Sequence, residues 1–309
     1  MVQFMFRCGQ LLFHQIAVVS VTLATFFVLE TTAYAAVVPT IDSLTIAGPS
    51  SYGTAATSIS LTENSTTTVY IWGRATDNDT CEQIDAVSNY LGKFYRSDRT
   101  QNCTADNNDC YTVGAWTVDE CTAGGQDFQA RYQGSVNLQY YADPTDAGSP
   151  NSGFNWVAFI RVTDDTSTSA EQTNSTEVES LIALDTTSSV DYGTVVLGGI
   201  SNEQLVTITN TGNRAIDAVV SANQDLSCTI GSVLAGNIKY SLTGGFTYDT
   251  QGTAITVAPT TTNVNNSTAQ RTNDASPIQT NLYLRVRMPE QGTAGTCTNT
   301  LTFTAQADA

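Results

Sequence analysis

The chain has 309 residues, 41% hydrophobic and 13% charged, with 12 Lys and Arg against 29 Asp and Glu and a net charge of −17. The apolar content supports a sizeable core, and Thr, Ser, Asn and Gln rather than charge fill the polar remainder, which argues against disorder. So acidic a chain has no basic stripe to displace counterions from phosphate, which argues against nucleic acid and anionic lipid as partners.

The first 35 residues read as a secretory signal. Arg7 is the lone positive residue ahead of the apolar run Ile16–Leu29. That run is short of the ~20 residues needed to span a bilayer. Ala33, Tyr34 and Ala35 place small residues where a signal peptidase reads, so cleavage is expected before Ala36. The product is then secreted or held at the cell surface, with no stable membrane insertion. Cleavage removes His14, the only histidine, together with Cys8. Cys81, Cys103, Cys110, Cys121, Cys228 and Cys297 remain, and an even count in an exported chain reads as disulfides.

Beyond the signal nearly every periodic segment repeats at two. Val69, Ile71, Gly73 and Ala75 alternate with Tyr70, Trp72 and Arg74. Ile84, Val87, Leu91 and Phe94 fit a helical template, but Gly92 and the pair Phe94–Tyr95 favour a strand. Phe128, Ala130, Tyr132, Val136, Leu138 and Tyr140 share one face of a long strand, and Gly134 marks a bulge or bend in it. Trp156, Ala158, Ile160 and Val162 form another one-sided run, followed by Val178, Ser180, Ile182 and Leu184. The polar stretch Asp185–Ser189 reads as a domain boundary. After it, Gln204–Asn213 is a strand running into a Gly/Asn turn, and Ala215–Val220 returns from it. Phe246–Tyr248, Ala254–Val257, Asn281–Met288 and Thr298–Ala305 are further strands, while Pro259–Pro277 reads as a long exposed loop. The expected fold is all-β, with two consecutive β-sandwiches over residues 36–186 and 187–309.

Only Cys228 and Cys297 follow the boundary, so they are expected to pair. In the first unit Cys103–Cys110 would close a short loop and Cys81–Cys121 would form the longer bridge.

The run VDYGTVVLGGISNEQLVTITNTGN, residues 190–213, resembles the opening of Hydin-type immunoglobulin-like domains. The tail LYLRVRMPEQGTAGTCTNTLTFTA resembles the final hairpin of surface β-sandwich domains in bacterial exported proteins. Together with TDNDTCEQIDAV, KFYRSD and YYADPTDAGS, this unit resembles uncharacterised exported proteins of candidate-phyla bacteria. Val162-Thr-Asp-Asp165 is similar to a strand end in cadherin-like modules. These resemblances imply two immunoglobulin-like sandwiches and an exported compartment, and no activity.

Without histidine, the processed chain cannot build a Ser-His-Asp or Cys-His unit or a His-ligated zinc site. It carries neither GxxxxGK[ST] nor GxGxxG. Asp185-Thr186-Thr187 departs from the aspartic-protease D-T-[GS] pattern at its third residue. Paired carboxylates, as in glycosidases, survive as chemistry but have no local signature. No catalytic residue and no organic cofactor is expected. Calcium is the inorganic partner that the Asp/Asn clusters would take: Asp77 and Asp79, Asp106–Asp109, Asp143, Asp146, and Asp164 with Asp165. The same residues serve equally as turn formers, and no EF-hand spacing occurs. Tyr70, Trp72 and Tyr141 lie opposite their strands' apolar rows and could stack on sugars, or pack between the domains or against a second sheet. The expected function is a secreted or surface structural or adhesive protein, with other surface proteins or glycans as partners. A carbohydrate-binding module or accessory subunit is the alternative, and a carboxylate-pair glycosidase a weaker one.

Overall fold

A computed structural model describes residues 37–124, 126–273 and 275–308. The expected signal segment and its cleavage site before Ala36 lie outside the described residues. Period-two alternation becomes strands with one buried face, as in Thr66–Thr76, where Val69, Ile71 and Ala75 are fully buried. The first eight strands are β1 (Thr40–Ala47), β2 (Ser58–Ile59), β3 (Thr66–Thr76), β4 (Tyr90–Arg96), β5 (Cys110–Asp119), β6 (Gln129–Gln139), β7 (Trp156–Thr163) and β8 (Ser169–Val178). They hydrogen-bond in the order β1-β3-β6-β5-β4-β7-β8-β2.

One strand folds this sheet into two layers. The start of β5 pairs with β4, and its end pairs with β6. The register breaks between Gly114 and Thr117, where Ala115 takes a left-handed φ of 48°. A bulged corner strand of this kind lets a sheet turn over its own core. The bulge expected at Gly134 therefore sits on the neighbouring strand. Gly134 keeps an unbroken ladder with β3, and its missing side chain makes room for Trp116, whose ring would lie 2.7 Å from an added Cβ. The layers enclose Trp156, Phe94, Tyr132, Ile71 and Ile160, with Phe94 stacked on Trp156 at 5.2 Å.

The remaining strands are β9 (Leu184–Thr186), β10 (Gln204–Asn210), β11 (Ile216–Ala222), β12 (Leu226–Ile230), β13 (Ser232–Val233), β14 (Ile238–Ser241), β15 (Thr253–Ala254), β16 (Thr262–Asn263), β17 (Gln279–Val286), β18 (Ala294–Thr298) and β19 (Leu301–Ala307). One sheet runs β15-β14-β17-β10-β9, another β16-β11-β19, and a third β13-β12-β18. Val206, Ile208, Val220, Ile238, Leu282 and Leu284 are buried in the second half. The disulfides are Cys81–Cys121, Cys103–Cys110 and Cys228–Cys297. The last joins directly opposed residues of β12 and β18.

Several sequence expectations change. Residues 81–84 and 87–89 are short 3-10 turns, and only Tyr90–Arg96 of that ambiguous segment is a strand. Ile84 is buried in the first turn and Val87 exposed in the second, so the helical spacing did not mark a shared apolar face. Val178 ends β8 and Leu184 opens β9, so they belong to different sheets and Ile182 between them is exposed. Phe246 is buried without being in a strand, and Tyr248–Gln251 form one helical turn, α1. Phe128 is exposed. Gln133 is buried instead, where its side-chain oxygen accepts from Ser51 Oγ and the Tyr52 N–H. The described residues of 259–277 are mostly exposed and outside strands, as expected, but the stretch is pinned at intervals. It contributes β16 and buried Val264, Asn266 and Thr268, because polar side chains there find main-chain partners.

Candidate functional site

Two places stand out: a polar joint between the two sandwiches, and an open flank on the second. Residues 37–309 cluster as one compact unit. The joint begins at the turn Asn210–Asn213. Asn213 is fully buried; its amide nitrogen donates to the carbonyls of Ala142 and Glu179, and its oxygen accepts from the Leu181 N–H at 2.6 Å. Thr211 Oγ1 donates to Glu63 at 2.6 Å. A Cβ on Gly212 would lie 2.0 Å from the Leu181 carbonyl oxygen, so only glycine permits this approach.

The second part of the joint involves residues 270–273. Gln270 Nε2 donates to the Tyr141 carbonyl and to Asp143 Oδ1, both at 2.8 Å. Asn108 Nδ2 donates to the carbonyls of Tyr141 and Arg271, and its oxygen accepts from the Asn273 N–H. The Arg271 guanidinium lies 4.4 Å from the Tyr141 ring centre. Behind this contact Arg96 is buried among carboxylates. It pairs with Asp98 at 2.8 Å, with Asp109 at 3.7 Å and with Asp143. Burial pushes the Asp143 carboxyl up against the pull of Gln270, Arg96 and Asn108, whereas the hydrogen bonds from Arg96 hold Asp98 below the usual carboxylate range.

The calcium candidates are only partly brought together. Asp77 and Asp164 directly follow β3 and β7, and both are buried. Asp164 is committed to its own turn, accepting from Thr166 Oγ1, the Thr168 N–H and Thr168 Oγ1. Asp77 Oδ1 accepts from the Asp79 N–H, while its buried Oδ2 has no hydrogen-bond partner among the described residues. Burial, with the charges of Asp79 and Asp164, raises the Asp77 carboxyl. Asp79 and Asp165 are exposed. Among the described residues no three Asp, Glu, His or Cys side chains converge on a metal position.

The aromatic candidates do not form a platform. Tyr141 is 1% exposed because residues 270–273 cover it. Trp72 is capped by the 51–53 turn: its Nε1 donates to the Gly53 carbonyl at 2.9 Å, and Tyr52 packs edge-on against its ring. Tyr70 is half-buried on the same strand.

The open flank follows from strand order. An immunoglobulin sandwich sets strands A, B, E and D against C, F and G. The first half fills every place: β1-β3-β6-β5 faces β4-β7-β8, with β2 parallel to β8. The second half sets β9-β10-β17-β14 against β11-β19. Among the described residues no strand pairs with the outer edge of β19, the place β8 holds in the first half. A cavity of about 370 Å³ lies there, floored by Val206, Ile238, Leu301 and Phe303. Thr186 and Tyr192 also line it, and their buried hydroxyls have no hydrogen-bond partner among the described residues. No sequence signal marked this flank, because an open strand edge carries no local pattern.

No family model and no curated protein matches the chain. Among solved structures it is similar to the CsuC–CsuE chaperone–tip adhesion subunit pre-assembly complex from the archaic chaperone-usher Csu pili of Acinetobacter baumannii. That match has 12% identity and a TM-score of 0.35, and covers 81% of this chain and 96% of that one. It is also similar to the secreted serine protease VesC from Vibrio cholerae, with 8% identity and a TM-score of 0.19, covering 79% of this chain and 49% of that one.

Proposed function

We propose that this chain is a non-catalytic structural or adhesive protein of the cell exterior, working as one stiff two-sandwich body. The observation that carries the reading is the joint. Asn213 buries its whole side chain in main-chain hydrogen bonds of the first sandwich, so the two sandwiches meet through fixed partners rather than a loose tether. Three disulfides fit an oxidising compartment. No helix among the described residues is long and apolar enough to cross a membrane. The sugar-binding alternative loses its platform with Tyr141 buried and Trp72 capped.

Two measurements test this. Antibody against the full chain should label intact cells, and protease added outside should remove that label; label confined to lysed cells overturns the reading. Asn213→Ala should leave buried carbonyls unpaired, cost about 1–3 kcal/mol, and split one calorimetric transition into two. A single unshifted transition would mean that the joint does not hold the halves together.

A further inference from the structure

The two sandwiches share a plan, and the first shows what the second lacks. In the first, β8 covers the outer edge of β7 and seals the flank against β1. Thr176 and Val178 of β8 are buried; Asn174 Nδ2 donates to the Leu44 carbonyl at 2.8 Å and Thr176 Oγ1 to the Ala56 carbonyl. In the second, β19 pairs through Leu301–Ala307 with β11, and among the described residues nothing pairs with its other side. Its alternate N–H and C=O groups on the other side form an open edge, a ready template for an added strand.

Beside that edge the core stays unfinished. Leu184, Val190, Tyr192, Leu301 and Phe303 pack on the second core while remaining only partly buried. The cavity there has no charged lining residue, in a protein of net charge −17. An uncharged wall with alternating apolar floor and hydroxyl rim matches an uncharged extended segment. It would reject an acidic or basic one, whose charge would be desolvated without a partner. The buried hydroxyls of Thr186 and Tyr192 fit the same occupant, since a strand brings main-chain donors and acceptors.

We propose that the flank between β9 and β19 binds an extended, uncharged strand of a different protein, not a second copy of this chain, with apolar side chains at alternate positions, which pairs with β19 and completes the second sandwich. Affinity in such strand addition comes from main-chain hydrogen bonds, and selectivity from the pockets for alternate side chains. This goes beyond the structural role proposed above and does not depend on it.

The test uses the full chain and a fluorescent nine-residue peptide of alternating Val and Thr, at concentrations where the peptide is monomeric. Binding should saturate, raise the melting temperature and slow hydrogen exchange of the 301–307 amides at least tenfold. Replacing the peptide's Val by Glu should abolish binding. Leu301→Glu places a charge on a half-exposed side chain and should weaken binding at least tenfold while keeping the native circular dichroism. If it misfolds, Phe303→Ser serves with the same expectation. Absence of saturable binding, unchanged exchange in β19, or equal binding by a folded Leu301→Glu protein would overturn the proposal. So would a wild-type dimer in sedimentation that Leu301→Glu dissociates, because a second copy would then hold the flank.

Discussion

Ile160 and Phe303 sit on corresponding strands of the two sandwiches, β7 and β19, with their side chains turned to the core. Ile160 is fully buried, but Phe303 remains partly exposed. Ile160 has β8 beyond it, paired from Trp156↔Thr176 to Thr163↔Ser169, whereas β19 has no further strand among the described residues. Burial of a sheet residue therefore depends on how many strands flank it as well as on its own side chain. The first sandwich finishes its core internally and secures its rim with polar networks. The second relies on the joint, one disulfide and an unfinished edge.

The largest expected effect tests the first sandwich's rim. Arg96→Met leaves Asp143 buried without its cation, while Asp109 keeps Arg99 at 2.6 Å, and should cost about 3–5 kcal/mol. Urea unfolding of the full chain measures it. A loss below ~1 kcal/mol would mean that the network contributes little beyond packing.

Next comes the bridge of the second sandwich. Cys228 and Cys297 are 69 positions apart, so the chain-entropy model gives roughly 4 kcal/mol for their disulfide. Thermal unfolding of the Cys228→Ala/Cys297→Ala protein should fall accordingly. Two domains with few contacts across their boundary would leave the first sandwich unaffected. With Asn213, Asn108 and Gln270 crossing it, the first sandwich should lose stability as well.

The comparison itself is tested by a matched pair of truncations. Ile160→Ala opens a sealed core and should cost about 2–5 kcal/mol. Phe303→Ala removes a side chain already facing solvent in part, and should cost less, on the order of 1–2 kcal/mol. Equal losses would show that the second flank is as closed as the first.

The smallest effect is a gain. Asp77 is fully buried, one of its oxygens has no partner among the described residues, and its carboxyl is raised in the folded protein. A raised acid contributes stability below its unfolded pKa and loses it as pH rises through the folded value. Asp77→Asn keeps the oxygen that accepts from Asp79 and should add about 1 kcal/mol near neutral pH. The gain should shrink as pH falls through the carboxylate range, in melts collected between pH 4 and 8. Calcium that raises the wild-type melting temperature but not that of Asp77→Asn would instead make Asp77 a ligand.

The all-β class was legible because alternation such as Val69-Ile71-Ala75 is a local signal of burial on one face. The pairing of Cys228 with Cys297 was legible by elimination. Strands β12 and β14 were not, because Leu226–Ile230 and Ile238–Ser241 are too short for a period to register against their Ser, Thr and Gly neighbours. For Tyr141 the sequence left sugar stacking and packing between the domains both open, and the structure shows the packing. Its burial comes from Gln270 and Arg271, more than a hundred residues away, and no spacing rule carries that information. The joint combines both cases: the Asn-Thr-Gly-Asn turn was visible as a turn, but its buried partners at 142, 179 and 181 were not.

The close approach at Gly212 also bears on the order of events during synthesis. The carbonyls that Asn213 meets belong to Ala142 and Glu179, upstream in the chain, and the N–H it receives is that of Leu181. As the chain emerges N-terminal end first, the earlier sandwich can close with these groups already presented. The later turn then docks on a finished surface. The first sandwich thus serves as a template for the placement of the second, and an error in the earlier fold would be inherited by the later one.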